Sequence, residues 1–404
     1  MPSLLSLNSY HYRRGGADVV YFEHEAMFRG LGWDTAHMSM HHPRNEPSPW
    51  SRYFVDEIEF GHNYSIGARI RMAGSVVYSM EARRKLRALL NGFDASVAHV
   101  HCIYHHLSPS VLPLLRQRGV PVILTAHDLK VACPAYKMLN RSGICERCKG
   151  GNLAHVVLNR CVRNSLTVSA LVAVESTVAR LLGLYRRNVN RIVVPSRFYE
   201  RKLVEWGWEA DRLTYIPNYV RAENFVPSFE PGDYFVYIGR LAPEKGIATL
   251  VQAAVKAGVR LKVAGTGPLD VELRQMAAGT NVDFLGYCSG EALWTLVRNS
   301  RAVVLPSEWY ENAPMSILEG FALGKPVIGA AIGGIPEMIT DGTGALFPSA
   351  NVNALADVLA EFAAMPDASV SAMGQRARER VVRDFNATRY LTAMQDLYAE
   401  VGAR

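Results

Sequence analysis

Long apolar segments are missing from this chain of 404 residues. No run approaches the ~18 to 20 apolar residues that a membrane-spanning helix requires, and the stretch from Met1 to Tyr12 lacks the apolar core of a secretory signal. Internal repeats and low-complexity tracts are also missing, which argues against a repeat architecture. These absences predict a globular cytoplasmic protein with two domains of ordinary size.

Cysteine is scarce as well, but four of the six cysteines fall in one segment. They follow the spacing C-x11-C-x2-C-x12-C, at Cys133, Cys145, Cys148 and Cys161. A Cys-x2-Cys pair places two thiolates on one ion, and two further thiolates complete a tetrahedral zinc site. In a cytoplasmic protein this spacing favours a structural zinc ion; free thiols, a disulfide pair and an iron–sulfur cluster remain alternatives. Cys102 and Cys288 are assigned no ligand role.

Acidic residues are few in the first half of the chain. Residues 1–200 carry 25 Lys and Arg against 14 Asp and Glu, whereas residues 201–404 carry 19 against 23, which together give the net charge of +7. A basic half attracts an anionic surface or substrate. Because no recognition helix, aromatic stacking motif or basic tail indicates nucleic acid, we expect the anionic partner to be a membrane surface, bound peripherally, or a lipid-diphosphate acceptor.

Short β-type runs alternate with helical ones along most of the chain. The runs cover residues 4–7, 94–101, 120–126, 191–194 and 213–218 in the first half, and 234–238, 261–264, 282–285, 302–305 and 326–329 in the second. This alternation predicts an α/β fold with two doubly wound, Rossmann-like domains, each a parallel sheet covered by helices. The proline-rich stretch 41–75 is predicted to be irregular, either a binding loop or a disordered insertion.

The most informative loop follows the run at 234–238. It reads Gly239-Arg240-Leu241-Ala242-Pro243-Glu244-Lys245-Gly246, and a helix is predicted to begin near its end. Backbone amides at a helix N-terminus, together with the side chains of Arg240 and Lys245, form a good receptor for a diphosphate. Taken alone, such a loop is weak evidence, because a Gly-Arg pair and a Glu-Lys pair at a helix start are more often surface caps.

Two glutamates further along the chain are separated by seven residues. Glu311 follows the run that ends at residue 305, on a loop at the carboxyl end of the sheet, where ligands bind in such folds. Glu319 falls about two helical turns later and is expected to project in a similar direction. Each carboxylate can bind a pair of sugar hydroxyls, although either residue alone fits an ordinary exposed acid.

Several motifs of the second half carry a resemblance to a known family. They are Gly239-Arg-Leu-x-x-Glu-Lys-Gly246, Ala264-Gly265-x-Gly267-Pro268, Phe284-Leu285-Gly286, Leu305-Pro306-Ser307, Glu311-x7-Glu319-Gly320-x-Ala322-x-Gly324-x-Pro326-Val327 and Gly333-Gly334-Ile335-Pro336-Glu337. Together they resemble the retaining GT-B glycosyltransferases, the large family that includes sucrose synthases, bacterial glycogen synthases and many polysaccharide and lipid glycosyltransferases. The resemblance covers the C-terminal half in register and is looser in the N-terminal half.

The resemblance implies a GT-B fold, in which two doubly wound domains face a cleft. An acceptor-side domain would span residues 1–217, with a Cys-rich insertion at about 133–161. A linker at about 218–232, marked by prolines, would lead to a nucleotide-sugar-binding domain at 233–385. The terminal helix, 386–404, would pack back toward the first domain.

The resemblance also implies a role for each site residue. The catalytic residues would be His127, Glu311, Arg240 and Lys245, and the donor-binding residues Gly15, Gly16, Arg240, Lys245, Leu285, Gly286, Tyr287, Asn312, Ala313 and Glu319. Arg240 and Lys245 would hold the donor diphosphate. Glu319 would bind the ribose hydroxyls, whereas Glu311 and His127 would bind the sugar. Since no Asp-x-Asp motif occurs, we expect no catalytic divalent metal.

Further details of the donor site follow the same resemblance. Glycine amides at 15 and 16 would lie near the phosphates, and backbone at 285–287 would hold the base. The family uses backbone amides just after the first acid, here Glu311, to bind the sugar. Because Pro314 has no N–H, the amides of Asn312 and Ala313 would be the ones left to bind it.

The sequence thus predicts a retaining glycosyltransferase that moves a sugar from a nucleotide-diphosphate sugar to a saccharide or lipid-linked acceptor, in cell-surface polysaccharide or glycolipid synthesis. Front-face attack and double displacement both stay open, because no residue must be a covalent nucleophile. A sugar-nucleotide epimerase of the same fold is one alternative. A non-catalytic module that binds a nucleotide sugar or nucleic acid is another.

Overall fold

A computed structural model describes residues 1–58, 65–340 and 342–403 of the chain. Contacts within it divide the chain into two compact units. The first unit comprises residues 1–195, 200–216 and 391–404, and the second comprises residues 196–199 and 217–390. Each unit contains one six-stranded sheet, so that the predicted α/β class with two Rossmann-like domains is confirmed.

The described residues contain short strands and helices in alternation. The strands are β1 Ser3–Leu7, β2 Asp34–Met38, β3 Val97–Val100, β4 Val122–Thr125, β5 Leu139–Asn140, β6 Gly143–Ile144, β7 Arg191–Val194, β8 Leu213–Tyr215, β9 Phe235–Ile238, β10 Leu261–Ala264, β11 Val282–Gly286, β12 Ala302–Leu305, β13 Val327–Ala330 and β14 Gly344–Phe347. The helices are α1 Gly16–Gly30, α2 Ile66–Val77, α3 Met80–Leu90, α4 Val111–Gln117, α5 Ala154–Leu158, α6 Leu166–Leu181, α7 Arg197–Glu205, α8 Ile247–Ala257, α9 Asp270–Met276, α10 Gly290–Arg298, α11 Met315–Ala322, α12 Ile335–Met338, α13 Val352–Ala364, α14 Asp367–Asp384 and α15 Ala387–Glu400. Among these residues, no helix is both long enough and apolar enough to cross a membrane.

The sheet of the first unit is entirely parallel. Its strand order is β2-β1-β3-β4-β7-β8. Strands such as β4 are buried at every position, because helices cover both faces of a doubly wound sheet and no face is left to water. The hairpin of β5 and β6 stands apart from this sheet and lies within the cysteine-rich segment.

The sheet of the second unit is also parallel, in the order β11-β10-β9-β12-β13-β14. Successive side chains of β9 point to opposite faces. Phe235 and Tyr237 join an apolar cluster with α8 and α13, whereas Val236 joins a second cluster with α11. Two cores therefore sandwich one sheet, and in such sheets ligands bind at the carboxyl ends of the strands.

Local structure differs from the sequence-based expectation in two places. Residues 66–77 form α2, although the stretch 41–75 was predicted to be irregular; its residues 59–64 lie outside the described ones. Helix α14 was not predicted.

Candidate functional site

The candidate site of the second unit lies where its sheet reverses direction. Strands β9 and β12 are neighbours, but β10 and β11 continue on one side and β13 and β14 on the other. Connections that leave the carboxyl ends of β9 and β12 therefore diverge and leave a crevice, the place where ligands bind in such sheets. The loop 239–246 follows β9 and the loop 306–314 follows β12, so both predicted motifs meet at this crevice.

Glycine allows these two loops to approach each other closely. Gly246 has a φ of 67°, in the left-handed region, and separates a short 3-10 turn at Pro243–Lys245 from α8. A Cβ on Gly246 would lie 1.9 Å from the carbonyl oxygen of Pro306. Both the backbone conformation and the contact therefore require glycine at this position.

Lys245 and Glu311 form an ion pair in the crevice. The Nζ of Lys245 donates to Oε1 of Glu311 at 2.7 Å, and the Oγ of Ser307 donates to the same oxygen at 2.7 Å. The Glu311 side chain is 7% exposed and the Lys245 side chain 24%, so that the carboxylate is buried while the ammonium remains accessible. The fold thus joins two residues that sequence reasoning assigned to different parts of a donor.

A glycine pair holds the backbone of Glu311 in place. The N–H of Gly334 donates to the carbonyl oxygen of Glu311 at 2.8 Å. Gly333 has a φ of 63°, and a Cβ there would lie 2.3 Å from that same oxygen. The motif Gly333-Gly334 therefore serves close backbone packing against the loop that carries the acid.

Asn312 and Ala313, predicted to offer amides to a sugar, are buried and held by side chains. The Oγ of Ser196 donates to Oδ1 of Asn312 at 2.8 Å, and Nδ2 of Asn218 donates to the carbonyl oxygen of Ala313 at 2.8 Å. Their backbone is thus fixed on both sides. The amide role of these two residues stays a prediction.

Glu319 lies on α11, while Glu311 lies in the loop before that helix. The relation of two helical turns that was expected between them therefore does not apply. Gly320 brings α11 close to the sheet, since a Cβ on it would lie 3.1 Å from Cγ2 of Val303. Glu319 is half-buried, and desolvation raises its pKa to about 7, so that it carries a partial negative charge at neutral pH.

The remaining predicted donor residues lie at the same edge of the sheet. Arg240 is exposed, and the side chains of Leu285 and Tyr287 are 43% and 78% exposed at the end of β11. The carbonyl oxygen of Gly286 accepts the N–H of Gly265 at 2.7 Å, which ties the loops after β10 and β11 together. Cationic, apolar and backbone groups are thus available in the positions that the motifs predict.

Trp309 is a residue of this crevice that sequence reasoning missed. The Nζ of Lys245 lies 5.1 Å from the centroid of a Trp309 ring, within the range of a cation–π contact. Its Nε1 is buried and has no hydrogen-bond partner in the described part of the chain. In the sequence, the only indication of this role was that a tryptophan lies two residues before Glu311.

In the first unit, the predicted glycines start the first helix. Gly15 is the N-cap of α1 and Gly16 its first residue, and both are exposed. The sheet reverses between β1 and β3, and the loops after these strands are joined by the N–H of Cys102, which donates to Oδ1 of Asn8 at 3.1 Å. The glycines therefore follow the strand at the reversal point of this sheet.

His127 follows β4 and rests on a line of buried histidines. Its Nε2 lies 2.8 Å from Nδ1 of His101, and the His101 ring stacks on that of His99, with the ring centroids 4.6 Å apart. His99 in turn contacts Thr125 and the hydroxyl of Tyr398. The fold thus places His101 directly behind His127, where it positions the imidazole.

These imidazoles are neutral at pH 7. Burial lowers the pKa of His127 to about 4 and holds the pKa values of His99 and His101 well below the usual range. A neutral ring has one N–H donor and one acceptor nitrogen. Hydrogen bonds along the line therefore decide which nitrogen of each ring carries the proton.

The four clustered cysteines are free thiols. Burial, followed by the neighbouring thiolates, raises the pKa of Cys148 to about 12 and that of Cys161 to about 11, and both are influenced by Cys133 and Cys145. The segment thus brings all four sulfurs within electrostatic reach of one another. Within residues 1–58, 65–340 and 342–403, however, no three His, Cys, Asp or Glu side chains are arranged to hold a metal ion. The geometry gives the zinc prediction no support.

The groups in the crevice of the second unit suit a ligand that carries both negative charge and hydroxyls. Arg240 and Lys245 offer charge-assisted hydrogen bonds to an anion such as a phosphate. The carboxylates of Glu311 and Glu319 accept hydrogen bonds from hydroxyls. A ligand with only one of these features would leave half of the groups unused.

Two family models match the chain. The model described as Glycosyl transferases group 1 matches residues 221–380, and the model described as Glycosyl transferase 4-like domain matches residues 11–219. The second match alone covers more than half of the chain.

Individual known proteins give matches of two kinds. The chain is 28% identical over 172 residues to the O-antigen chain mannosyltransferase C of Escherichia coli, a match that covers 41% of this chain and 46% of that protein. It spans about half or less of the length of these curated relatives. In fold it is similar to a sucrose-phosphate synthase from Thermosynechococcus elongatus, with a TM-score of 0.72, 22% identity and 99% of each chain covered. It is also similar to Anabaena HepE, solved in complex with UDP and glucose, with a TM-score of 0.69, 15% identity and 100% of each chain covered.

Proposed function

We propose that this chain, which belongs to the GT-B glycosyltransferase family, transfers a sugar from a nucleoside-diphosphate sugar to a saccharide or lipid-linked acceptor. The observation that carries the proposal is the pairing of Lys245 with the buried Glu311 where the second sheet reverses. A cation next to a hydroxyl-binding carboxylate matches the diphosphate and the sugar of such a donor. The mannosyltransferase among the relatives and the UDP and glucose bound to HepE support the same substrate class.

Departure of the nucleoside diphosphate is the step that the cations would accelerate. Negative charge builds on the leaving group in the transition state, and preorganised cations aimed at it stabilise that charge. When a donor binds, Lys245 would exchange the Glu311 carboxylate for a phosphate oxygen. Because Ser307 still donates to Glu311, the acid would stay oriented to accept sugar hydroxyls.

The finer features of the reaction belong to the same proposal. His127 would contact the donor sugar as a neutral imidazole, held by His101. Arg240 and Lys245 would act in place of a divalent metal, since the chain contains no Asp-x-Asp motif. Transfer would proceed with retention at the anomeric carbon, and the acceptor would belong to cell-surface polysaccharide or glycolipid synthesis in the cytoplasm.

The test is a screen of UDP-, GDP- and ADP-sugars with polysaccharide and lipid-linked acceptors. We expect one donor to release its nucleoside diphosphate only when an acceptor is present, and the product to keep the donor's anomeric configuration by NMR. An epimer formed from the donor alone would favour the epimerase. Donor binding without release in the presence of every acceptor would favour a non-catalytic module. An inverted product would contradict retention.

Binding of the nucleoside diphosphate should release a proton near neutral pH. The pKa of Glu319 is raised to about 7, and hydrogen bonds from ribose hydroxyls favour its ionised form, which lowers that pKa in the complex. The affinity should therefore increase as the pH rises through 7 and level off above it. Calorimetric titration in buffers of different ionisation enthalpy measures the proton release.

Variants assign that proton to one residue. Glu319→Gln should abolish the proton release and weaken nucleotide binding, whereas Glu361→Gln, an exposed acid on α13, should change neither. Unchanged proton release in Glu319→Gln would show that this acid does not bind the ribose.

We also propose that Cys133, Cys145, Cys148 and Cys161 bind one structural zinc ion. Support comes from their spacing, from their free thiols and from their mutual effect on pKa. Protein purified without added metal should contain about one zinc per chain, lost in the double variant Cys145→Ser, Cys148→Ser and kept in Cys288→Ser. Iron with visible absorption would indicate an iron–sulfur cluster, and a metal-free, folded and active protein would end the proposal.

Peripheral membrane binding is proposed from the basic first half, and α3 carries exposed basic residues of that half. Arg83 donates to the carbonyl oxygen of Ser110 at 2.9 Å and Lys85 to Glu81 at 2.9 Å, which leaves Arg84 and Arg87 exposed. Each basic residue near an anionic bilayer contributes about 1 kcal/mol. The double variant Arg84→Gln, Arg87→Gln should therefore sediment less with phosphatidylglycerol vesicles at low salt. Equal sedimentation of the unaltered protein with neutral and anionic vesicles would exclude such binding.

A further inference from the structure

The first unit contains a cavity of about 290 Å³ that no residue assigned to the donor site lines, although Cys148 of the proposed zinc set borders it. It lies between the loop after β4, the cysteine-rich segment, helix α6 and residues 206–208. Small-molecule pockets begin at roughly this size, near 300 Å³. All of its lining residues belong to the first unit, so that the cavity is a feature of that unit alone.

A buried acid in this cavity has hydrogen-bond partners on only one of its two carboxylate oxygens among the described residues. Glu175 is 1% exposed, and its Oε2 accepts hydrogen bonds from Nζ of Lys130 at 2.6 Å and from Oγ of Ser176 at 3.1 Å. Lys130 also donates to the carbonyl oxygen of Pro134 at 3.0 Å. The other carboxylate oxygen, Oε1, is buried and has no partner among the described residues.

Two further polar atoms of the lining share this condition. The hydroxyl of Tyr185 and the Nε1 of Trp206 are buried without a hydrogen-bond partner in the part of the chain that the structure describes. Buried polar atoms are nearly always hydrogen-bonded to protein or to ordered water. One cavity therefore presents a vacant acceptor, a vacant donor and a hydroxyl that can act as either.

The cavity is also positively charged. Lys130 and Glu175 neutralise each other, but Arg180 lies beside them, and among the described residues its Nη2 donates to a backbone carbonyl, that of Ala132, at 3.0 Å. The Arg186 guanidinium lies 4.8 Å from the centroid of a Trp208 ring but is paired with Glu209 at 3.7 Å, so that Arg180 supplies the net positive charge. An anionic ligand is thus favoured over a neutral one.

We propose that this cavity binds one acidic sugar residue, a sugar that carries a carboxylate or a phosphate. The anionic group would bind Arg180, one hydroxyl would donate to Oε1 of Glu175, and another would accept from Nε1 of Trp206. The tryptophan rings would cover the apolar face of the sugar ring. Neither the donor residues of the second unit nor the family models assign this site.

The position of the cavity connects it with the reaction. Lys130, Val131 and Tyr185 line it and also line a small neighbouring cavity beside His127 and Asp128. Resting on the proposed function, we assign the acidic sugar residue to the saccharide acceptor. Acceptors that carry negative charge would then be used in preference to neutral ones.

Calorimetric titration of the full chain with glucuronate, glucose 6-phosphate and glucose tests the site directly. We expect at least one of the two anions to bind, glucose to bind at least tenfold more weakly, and saturating UDP to leave the anion bound. Arg180→Gln should weaken anion binding at least tenfold, and Trp206→Phe, which keeps the ring but removes the donor, should weaken it severalfold. Arg141→Gln, an exposed arginine of the same segment that does not line the cavity, should have no effect.

Several results would overturn the proposal. If none of the three probes binds, the cavity holds only water. Equal binding of glucose and the anions, unchanged binding in Arg180→Gln, or displacement of the anion by UDP would also exclude the site. Because UDP binding is measured separately and should persist in Arg180→Gln, failure of this site leaves the proposed transferase activity standing. Failure of UDP, GDP and ADP alike to bind the unaltered protein would instead count against that activity.

Discussion

Replacement of Lys245 by methionine should lower the rate of sugar transfer by about 10² to 10³-fold, the usual cost of losing one preorganised transition-state donor. The ammonium is accessible in the crevice, and together with Arg240 it would stabilise the charge that develops on the leaving diphosphate. Lys245→Met also removes the ammonium that donates to the buried Glu311 carboxylate, while Ser307 still donates to it. Loss of a charge-assisted hydrogen bond of this kind costs about 1.5 to 3 kcal/mol, so the melting temperature should fall as well.

A second substitution separates the two effects. The double variant Lys245→Met, Glu311→Gln removes the uncompensated charge and should recover much of the lost stability without recovering turnover. Lys256→Met is a matched control, because Lys256 lies at the other end of α8 and its Nζ contacts Asn353. This variant should keep both its stability and its turnover. Near-normal turnover in Lys245→Met, measured with the donor that the screen identifies, would show that this crevice is not the phosphate site.

Acidification from pH 7 to pH 4 should unfold the first unit before the second. All twelve histidines lie between residues 11 and 155, in the first unit. Burial holds the pKa of seven of them below the usual range: to about 3 for His11, His24 and His105, to about 4 for His106 and His127, and well below the usual range for His99 and His101. A histidine that is neutral and buried in the folded protein therefore binds a proton when the protein unfolds in acid.

The sign of the effect follows from the direction of these shifts. Between pH 6.5 and about 4 the unfolded chain binds more protons than the folded one, so that the free energy of unfolding falls as the pH falls. Each pKa unit contributes about 1.4 kcal/mol, and several buried histidines together reach a large part of the usual 5 to 15 kcal/mol of total stability. In the second unit Glu319 has a raised pKa, so the folded state binds more protons there. Its contribution to the free energy of unfolding therefore increases as the pH falls.

Hydrogen exchange with mass spectrometry resolves the two units. After correction for the intrinsic pH dependence of exchange, peptides from residues 1–195 should lose protection near pH 5 while peptides from residues 217–390 keep it. His105→Phe, which removes one buried titrating group, should move the transition of the first unit to lower pH. Simultaneous loss of protection in both units would contradict a histidine-driven transition.

The strands could be predicted from the sequence because a parallel sheet covered on both faces needs continuous apolar runs. The runs at 261–264 and 302–305 coincide with β10 and β12. Helix α2 was missed because Gly67 and Gly74 interrupt its apolar pattern and lower its helix propensity. Neighbouring prolines and aromatic residues further favoured an irregular interpretation.

Individual site positions could also be predicted, but their contacts could not. The motifs located Lys245 and Glu311 correctly on loops after strands, yet their pairing depends on β9 lying beside β12, which sequence order does not reveal. The position of His101 behind His127 likewise depends on the register of β3 and β4, in which Val100 lies opposite Leu124. Vacant hydrogen-bonding atoms such as Oε1 of Glu175 become visible only when every neighbour is known.

Residues 391–404 complete the first unit although residues 217–390 precede them in the chain. Within the first unit the hydroxyl of Tyr398 lies 2.7 Å from Nε2 of His24, and its ring packs on those of Phe28 and Trp33. During synthesis at about 5 to 20 residues per second, the first unit therefore waits roughly 10 to 35 s on the ribosome for the residues that close its core. A recombinant fragment that ends at residue 217 would lack Tyr398 permanently, and its early helices would keep an apolar surface for chaperones or for aggregation.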